Sequence, residues 1–201
     1  MTEPTRAPGG TRDQLVEATL ACLAEGGLAG TTSRAITGRA GANLAAITYH
    51  FGSKDALVAE AVLISLRRWI EPVLTVLRSD EEPEQRTVRA VAALQSSLAA
   101  ARATLPLHLA AVTAAPRNAA LRAGLDELLG EVHELLAEQI AAQVASGWLP
   151  PWVDAGAMAH LLVAMADGIA LHAVLQPEAV DPDALVGQAL ALLLAARGDQ
   201  A

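Results

Sequence analysis

Apolar positions recur every three or four residues along the chain, and no stretch sustains the period-two alternation of a strand. The pattern predicts helices only. Thr11 caps a first helix running to about Glu25, with Leu15, Thr19, Cys22 and Leu23 along one side, and Gly26-Gly27 stop it. The polar, Pro- and Gly-containing residues 1–10 before it read as a disordered arm. A short helix from Thr32 to Ala40 ends at Gly41. Asn43 caps another from Leu44 to His50, ended by Gly52. Ser53 then caps a long helix reaching about Leu77, which Pro72 should kink or break.

Beyond an acidic turn at Asp80–Gln85, helices are expected at about 84–102, 105–114 and 118–146, separated by Pro106 and Pro116. Gly147 and Pro150-Pro151 end the last of these. Asp154 caps a helix over 155–175, and Asp181 with Pro182 at the first helical position opens 182–197. Composition agrees with an all-α fold: 53% of residues are apolar and only 2% aromatic, so the core is built of Ala, Leu and Val.

The segment 155–175 is long enough to span a bilayer, but His160, Asp167 and His172 are costly in hydrocarbon. It is expected as a buried helix of a soluble protein, with no membrane partner. No charged-then-apolar leader opens the chain. The one cysteine, Cys22, has no internal partner and agrees with a reducing cytoplasm. Net charge is −8, which at first disfavours nucleic acid. Its distribution changes that picture: through Val58, five basic residues balance five acidic ones, and the remainder carries the whole excess.

Thr31 to Leu57 reads TTSRAITGRAGANLAAITYHFGSKDAL, two short helices joined by a tight glycine turn. That is the shape of a helix-turn-helix, whose second helix enters the DNA major groove. Placing Ile47 at the centre of the inward face puts Leu44 and Phe51 on the same side. Ala45 and Tyr49 then point outward, with Ala46 and Thr48 on the flanks. Thr48 and Tyr49 can donate to phosphate or to base edges, and Lys54 at the next helix's start can meet a phosphate.

These residues resemble the N-terminal signature of the TetR family of regulators. Thr32, Arg34, Ile36, Gly41, Ile47, Tyr49, His50, Phe51, Ser53, Lys54 and Leu57 all stand at its spacing, as do Ala24, Glu25 and Gly27 upstream. The match covers about residues 11–60. It implies that Thr32, Arg34, Tyr49, His50 and Lys54, with Ser33 beside them, contact the DNA backbone. Residues 43–49 (Asn43, Leu44, Ala45, Ala46, Thr48 and Tyr49 on the accessible sides) would then read bases. Leu23, Gly38 and Leu44 depart from the family's usual residues; Leu44 either packs on Ile47 or touches a thymine methyl group.

The final helix has no charged residue from Ala184 to Ala196, so it must be covered on every side. A second subunit is the simplest cover. The helices at 155–175 and 182–197 are expected to form a four-helix homodimer seam, with Ala164, Gly168 and Ala173 permitting close approach. Two symmetric heads call for an inverted-repeat operator. The resemblance also implies an effector pocket among the middle helices. Trp69, His108, Val112, Leu136, Met158, Leu162 and Met165 are candidates to line it, with Trp148 and Trp152 near its mouth; plain core packing is the competing reading of each. An apolar lining suits a hydrophobic or flat aromatic effector.

Other chemistry is not in view. His160 and His172 are twelve residues apart on one helix, too far to share an ion, and His108 and His133 lack a Cys or carboxylate neighbour. Glu127, Glu131, Glu134 and Glu138 form a stripe that a solvated face explains. No nucleophile motif, phosphate loop or cofactor signature occurs, so no enzyme and no metal or cofactor is expected. The expected division is an arm at 1–10, a helix-turn-helix DNA-binding domain at 11–58 and an effector-binding and dimerisation domain at 59–201. The expected function is a cytoplasmic repressor, a homodimer on a palindromic operator, released by a small molecule. The rival is a helical small-molecule-binding protein that does not bind DNA, kept open by the near-neutral head.

Overall fold

The computed structural model describes residues 10–101, 104–179 and 181–195. These fold as helices α1 (Thr11–Gly30), α2 (Ser33–Ala40), α3 (Leu44–Phe51), α4 (Lys54–Leu77) and α5 (Pro83–Ala100). Helices α6 (Leu105–Ala114), α7 (Ala119–Ala145), α8 (Ala155–Leu175) and α9 (Pro182–Ala195) follow, with a 3-10 turn at Ala115–Arg117. No strand occurs among the described residues. The expected arm lies outside them except for Gly10, as does the end of the last helix beyond Ala195.

The caps expected at Asn43, Ser53 and Asp154 form, Thr32 and Asn118 add two beyond those expected, and Thr11 is the first residue of α1 instead of its cap. Thr32, Asn43, Ser53, Asn118 and Asp154 each accept a backbone N–H three residues ahead, satisfying one of the donors a helix start leaves free. Two further boundaries differ from expectation. Gly27 does leave helical geometry (φ 59°, ψ −164°), but the chain resumes a final turn to Gly30, so α1 bends there instead of stopping. Pro72 neither breaks nor ends α4. An interior proline costs about 3 kcal/mol. Around Pro72, Leu66, Val73, Leu74, Val76 and Leu77 are all buried, and each such side chain contributes about 1.5–3 kcal/mol, so burial outweighs the break.

Three small helices and the start of α4 enclose the first core. Leu15, Val16, Ala18 and Cys22 of α1 meet Ile36 of α2, Ile47 of α3, and Leu57 and Ala61 of α4. A second cluster joins Leu23 to Ala59, Val62 and Leu66 of α4, Ala111 of α6, and Leu121 and Leu125 of α7. Helix α4 thus belongs to both cores and crosses the division expected after Val58. The remaining clusters lie where α5, α6, α8 and α9 meet, and where α7 meets α8 beneath Trp148.

Outside the cores, Glu131 is not the free solvated residue expected of its stripe. It takes Arg67 of α4 (2.6 Å) and Arg78 just past the end of α4, while Arg78 also reaches Glu71 at 3.0 Å, a network that ties α4 to α7. Gln139 of α7 donates to the Pro83 carbonyl at 2.6 Å and to the Thr87 hydroxyl, holding the start of α5.

The expected burial of α8 is corrected. Within the single chain only Ala159, Ile169 and Ala170 of α8 and Val186 of α9 are buried among the described residues. Leu161, Met165, Leu171, Leu175, Leu185 and Leu192 stand exposed. One chain has too few elements to surround these two helices.

Gly124 of α7 packs against α4, and a Cβ there would run into the Leu63 side chain. Gly130, two turns on, faces open space. Alanine in place of a mid-helix glycine ordinarily stabilises by about 0.5–1 kcal/mol. Thermal melts should therefore show Gly130→Ala raising stability by that amount, and Gly124→Ala raising it only in a Leu63→Ala background, measured against that single variant.

Candidate nucleic-acid interface and effector site

The reading head is built by its turns. Gly41 adopts the left-handed region (φ 62°), which lets its N–H and that of Ala42 return to the Thr37 carbonyl and close α2. The chain then needs only Ala42 and Asn43 before α3 begins. Ile36, Ile47 and Leu57 are 0–3% exposed, so α3 is pinned by its middle residue. Ala46 and Phe51 pack beside them, half-buried. Arg12 sits over the Phe51 ring, 5.2 Å from its centroid, and pairs with Glu60.

The opposite face of α3 is open. Tyr49 is 85% exposed, and Ala45 and Thr48 are exposed with it. Leu44 corrects one expectation: at 52% exposure it does not share the inward face with Ile47. It is the first residue of α3, a turn ahead of Ile47, where the core beneath has ended. His50 is half-buried and meets Tyr49 edge-on, the ring centroids 4.8 Å apart. Asn43 uses its side-chain oxygen on the Ala46 N–H (3.0 Å) and Thr32 its hydroxyl oxygen on the Ala35 N–H (3.1 Å). Both keep donors to offer. Ser33 is half-buried at the start of α2.

The cations of the head divide. Arg39 forms a two-pronged pair with Glu25 at 2.9 and 2.6 Å, and Arg12 is held by Glu60. Lys54 donates to the Thr31 carbonyl at 3.5 Å and lies 3.9 Å from Asp55. Arg34 is exposed with no acidic partner among the described residues. The Arg39 and Arg12 pairings bring together residues far apart in sequence, and nothing in their local pattern signals them.

The seven pocket candidates do not converge. Trp69 and His108 meet, their rings 5.6 Å apart. Leu136, Met158 and Leu162 pack together in the cluster beneath Trp148, while Val112 and Met165 are exposed. Helix α7 has 27 residues and so spans about 40 Å, which carries Leu136 well away from His108. Trp148 is buried and Trp152 exposed, so they do not flank one mouth. One space between α4, α6 and α7 is a groove of about 230 Å³ lined by Val58, Val62, Leu107, Ala111 and Leu121, with Asp55 and Asn118 as polar members. None of the sequence candidates lines it.

Two histidine arrangements carry no signal in the sequence. His133 and His160 stack at 3.9 Å, and burial followed by the His160 ring pushes the His133 pKa down. No group of three or more metal-ligating side chains occurs among the described residues. His108 is only 4% exposed; its Nε2 lies 3.0 Å from the Ser65 hydroxyl, and Nδ1 has no hydrogen-bond partner among the described residues. Burial alone pushes its pKa from 6.5 down to about 4.

Residues 15–61 match a family model described as bacterial regulatory proteins of the tetR family, and residues 83–197 match one described as the C-terminal part of BetI-type transcriptional repressors. The chain is 25% identical over 173 residues to the HTH-type transcriptional regulator PksA of Bacillus subtilis (strain 168), covering 86% of this chain and 82% of that protein. It superimposes on a transcriptional regulator of Pseudomonas aeruginosa PAO1 with a TM-score of 0.79 and 28% identity, over 94% of this chain and 90% of the other. A TetR transcription regulator from Haloarcula marismortui gives a TM-score of 0.77 at 23% identity, over 92% and 97% of the two chains, a likeness of fold.

A histidine whose folded pKa lies below its unfolded value contributes stability above about 6.5, and that contribution is lost as the unfolded chain takes up the proton between about 6.5 and 4. Urea midpoints should therefore drop between pH 7 and pH 4.5, and drop less in His108→Leu. Equal drops in the two proteins would show that His108 does not titrate this way.

Proposed function

For a chain that belongs to the TetR family of transcriptional regulators, we propose a homodimer that reads an inverted-repeat operator with α3 and answers to a small molecule bound in its helical body. DNA binding by the helix-turn-helix and ligand binding by the C-terminal domain define such a regulator. Repression and release by an effector are typical of the family. It acts in the cytoplasm, where the DNA is.

The observation that carries the reading is the exposed face of α3, with Tyr49 projecting from a helix whose Ile47 is buried. Leu44, Ala45 and Thr48 offer small or apolar surface to base edges, including thymine methyl groups, with half-buried Ala46 behind them. Arg34, Tyr49 and Lys54 meet phosphates. Thr32, Ser33, Asn43 and His50 place the two helices on the backbone through their remaining donors. Because Arg12 and Arg39 are occupied by Glu60 and Glu25, few head cations release counterions, and specific binding should show a shallow salt dependence.

The bare apolar faces of α8 and α9 suit a second copy of the chain. An interface of roughly 2,000 Å² or more is the size that permanent dimers bury. Two heads held by one seam then meet two half-sites on the same side of the duplex.

Two measurements test this. In gel shifts with the DNA upstream of its own gene, Tyr49→Ala with Lys54→Ala should weaken binding and flatten the salt slope by about 0.9 for each phosphate that is no longer neutralised. Unchanged binding would remove α3 from the interface. In sedimentation experiments, Leu171→Glu with Leu175→Glu should yield monomers that bind the same DNA far more weakly. A dimer surviving that change would place the seam elsewhere.

A further inference from the structure

His108 and Ser65 form the polar centre of an otherwise apolar region. Leu66 and Ala111 lie in the cluster on one side of Trp69, and Leu98, Leu105 and Ile169 in that on the other. Trp69 itself is satisfied, since its indole N–H donates to the Ser97 carbonyl at 3.0 Å. His108 is not. Its ring is buried, one nitrogen is matched with Ser65, and Nδ1 has no partner among the described residues. Buried polar atoms are almost always paired, and leaving one unpaired carries the full cost of stripping its water.

We propose that His108 Nδ1 is the anchor for the effector's polar group, and that the effector is a small uncharged molecule carrying a hydroxyl on a flat apolar body. This rests on the reading that the helical body binds an effector. The hydroxyl follows from the histidine. If Ser65 donates to Nε2, then Nδ1 carries the hydrogen and needs an acceptor; if Nε2 donates to Ser65, Nδ1 is bare and needs a donor. Rotation of the Ser65 hydroxyl accompanies the exchange of the two states, and a ligand hydroxyl serves both.

Absence of charge on the ligand follows from the surroundings. Burial is the sole cause of the depressed His108 pKa, so no neighbouring charge acts on the ring. An ammonium held at the ring would lose its water and find no carboxylate there, since Asp55, the groove's one acid, lies ten residues from Ser65 along α4, about 15 Å away. A carboxylate would find only a ring that holds its proton weakly. The flat body follows from Trp69, which offers a ring at 5.6 Å from His108.

Room comes from the groove between α4, α6 and α7. Leu107 and Ala111, neighbours of His108 on α6, line it, and its 230 Å³ exceeds the roughly 150 Å³ apolar cavity that suffices for benzene. His108, Ser65 and Trp69 do not themselves line this groove, so it must widen toward His108 when the effector binds.

The full-length protein should be titrated by calorimetry with four single-ring probes: phenol, toluene, benzoate and benzylammonium. Phenol should bind about tenfold or more tightly than toluene, and the two ions more weakly than either. In His108→Leu, and in His108→Phe should the first not fold, toluene should bind at least as well and the phenol preference should vanish. A preference for phenol unchanged by both substitutions overturns the proposal. So does tighter binding of an ion, or no binding of any probe up to about 10 mM, the range expected of ligands this small. Gel shifts of the same proteins without probe keep the two readings apart: absence of operator binding in the wild type would fault the regulator, whereas the phenol preference reports on His108 alone.

Discussion

Everything in this molecule hangs on α4 being buried on two faces in different company. Leu57 and Ala61 sit at 0% exposure against α1, α2 and α3, while Ala59, Val62 and Leu66 sit against α6 and α7. A 24-residue helix is a rod of about 36 Å, and its two faces cannot move independently. The reading head therefore has no flexible linker to the body, only a shared helix. Pro72 survives within that rod because the residues flanking it are held on the body side.

The same economy governs the polar side chains. In the head most oxygens serve caps and most cations serve acids: Asn43 on Ala46, Thr32 on Ala35, Arg39 on Glu25. On the proposed reading, what remains for DNA is the small outer face of α3 and Tyr49 above it, with Arg34 and Lys54 beside it. This is a weak electrostatic footprint, and it fits a body whose acidic excess gives the chain its −8 charge. The proposed recognition would then depend on fit in the groove more than on phosphate attraction. The body inverts the pattern. There surface groups such as Glu131, Arg67 and Arg78 are paired, and an unsatisfied atom lies deep inside, on His108.

Much of this is legible in the chain because it depends on neighbours three or four residues apart. Caps at Asn43, Ser53 and Asp154, the glycine that turns α2 into α3, and the inward Ile47 with outward Tyr49 all follow from helical spacing and turn chemistry. Leu44 escapes the same spacing, since periodicity assumes a core beneath every turn, and at the first turn of α3 the core has stopped.

The sequence alone determined the helices, the reading head and the existence of apolar helices too bare for one chain to cover, because each is a property of local pattern. Only the tertiary structure decided which distant residues meet: Arg39 with Glu25, Glu131 with Arg67 and Arg78, His133 with His160, and His108 with Ser65 and Trp69. It also separated Leu136, Met158 and Leu162 from Trp69 and His108, which residue type alone groups together. Long helices carry residues of like character to opposite ends of a body, and spacing along one helix holds no information about which turn of another it will face.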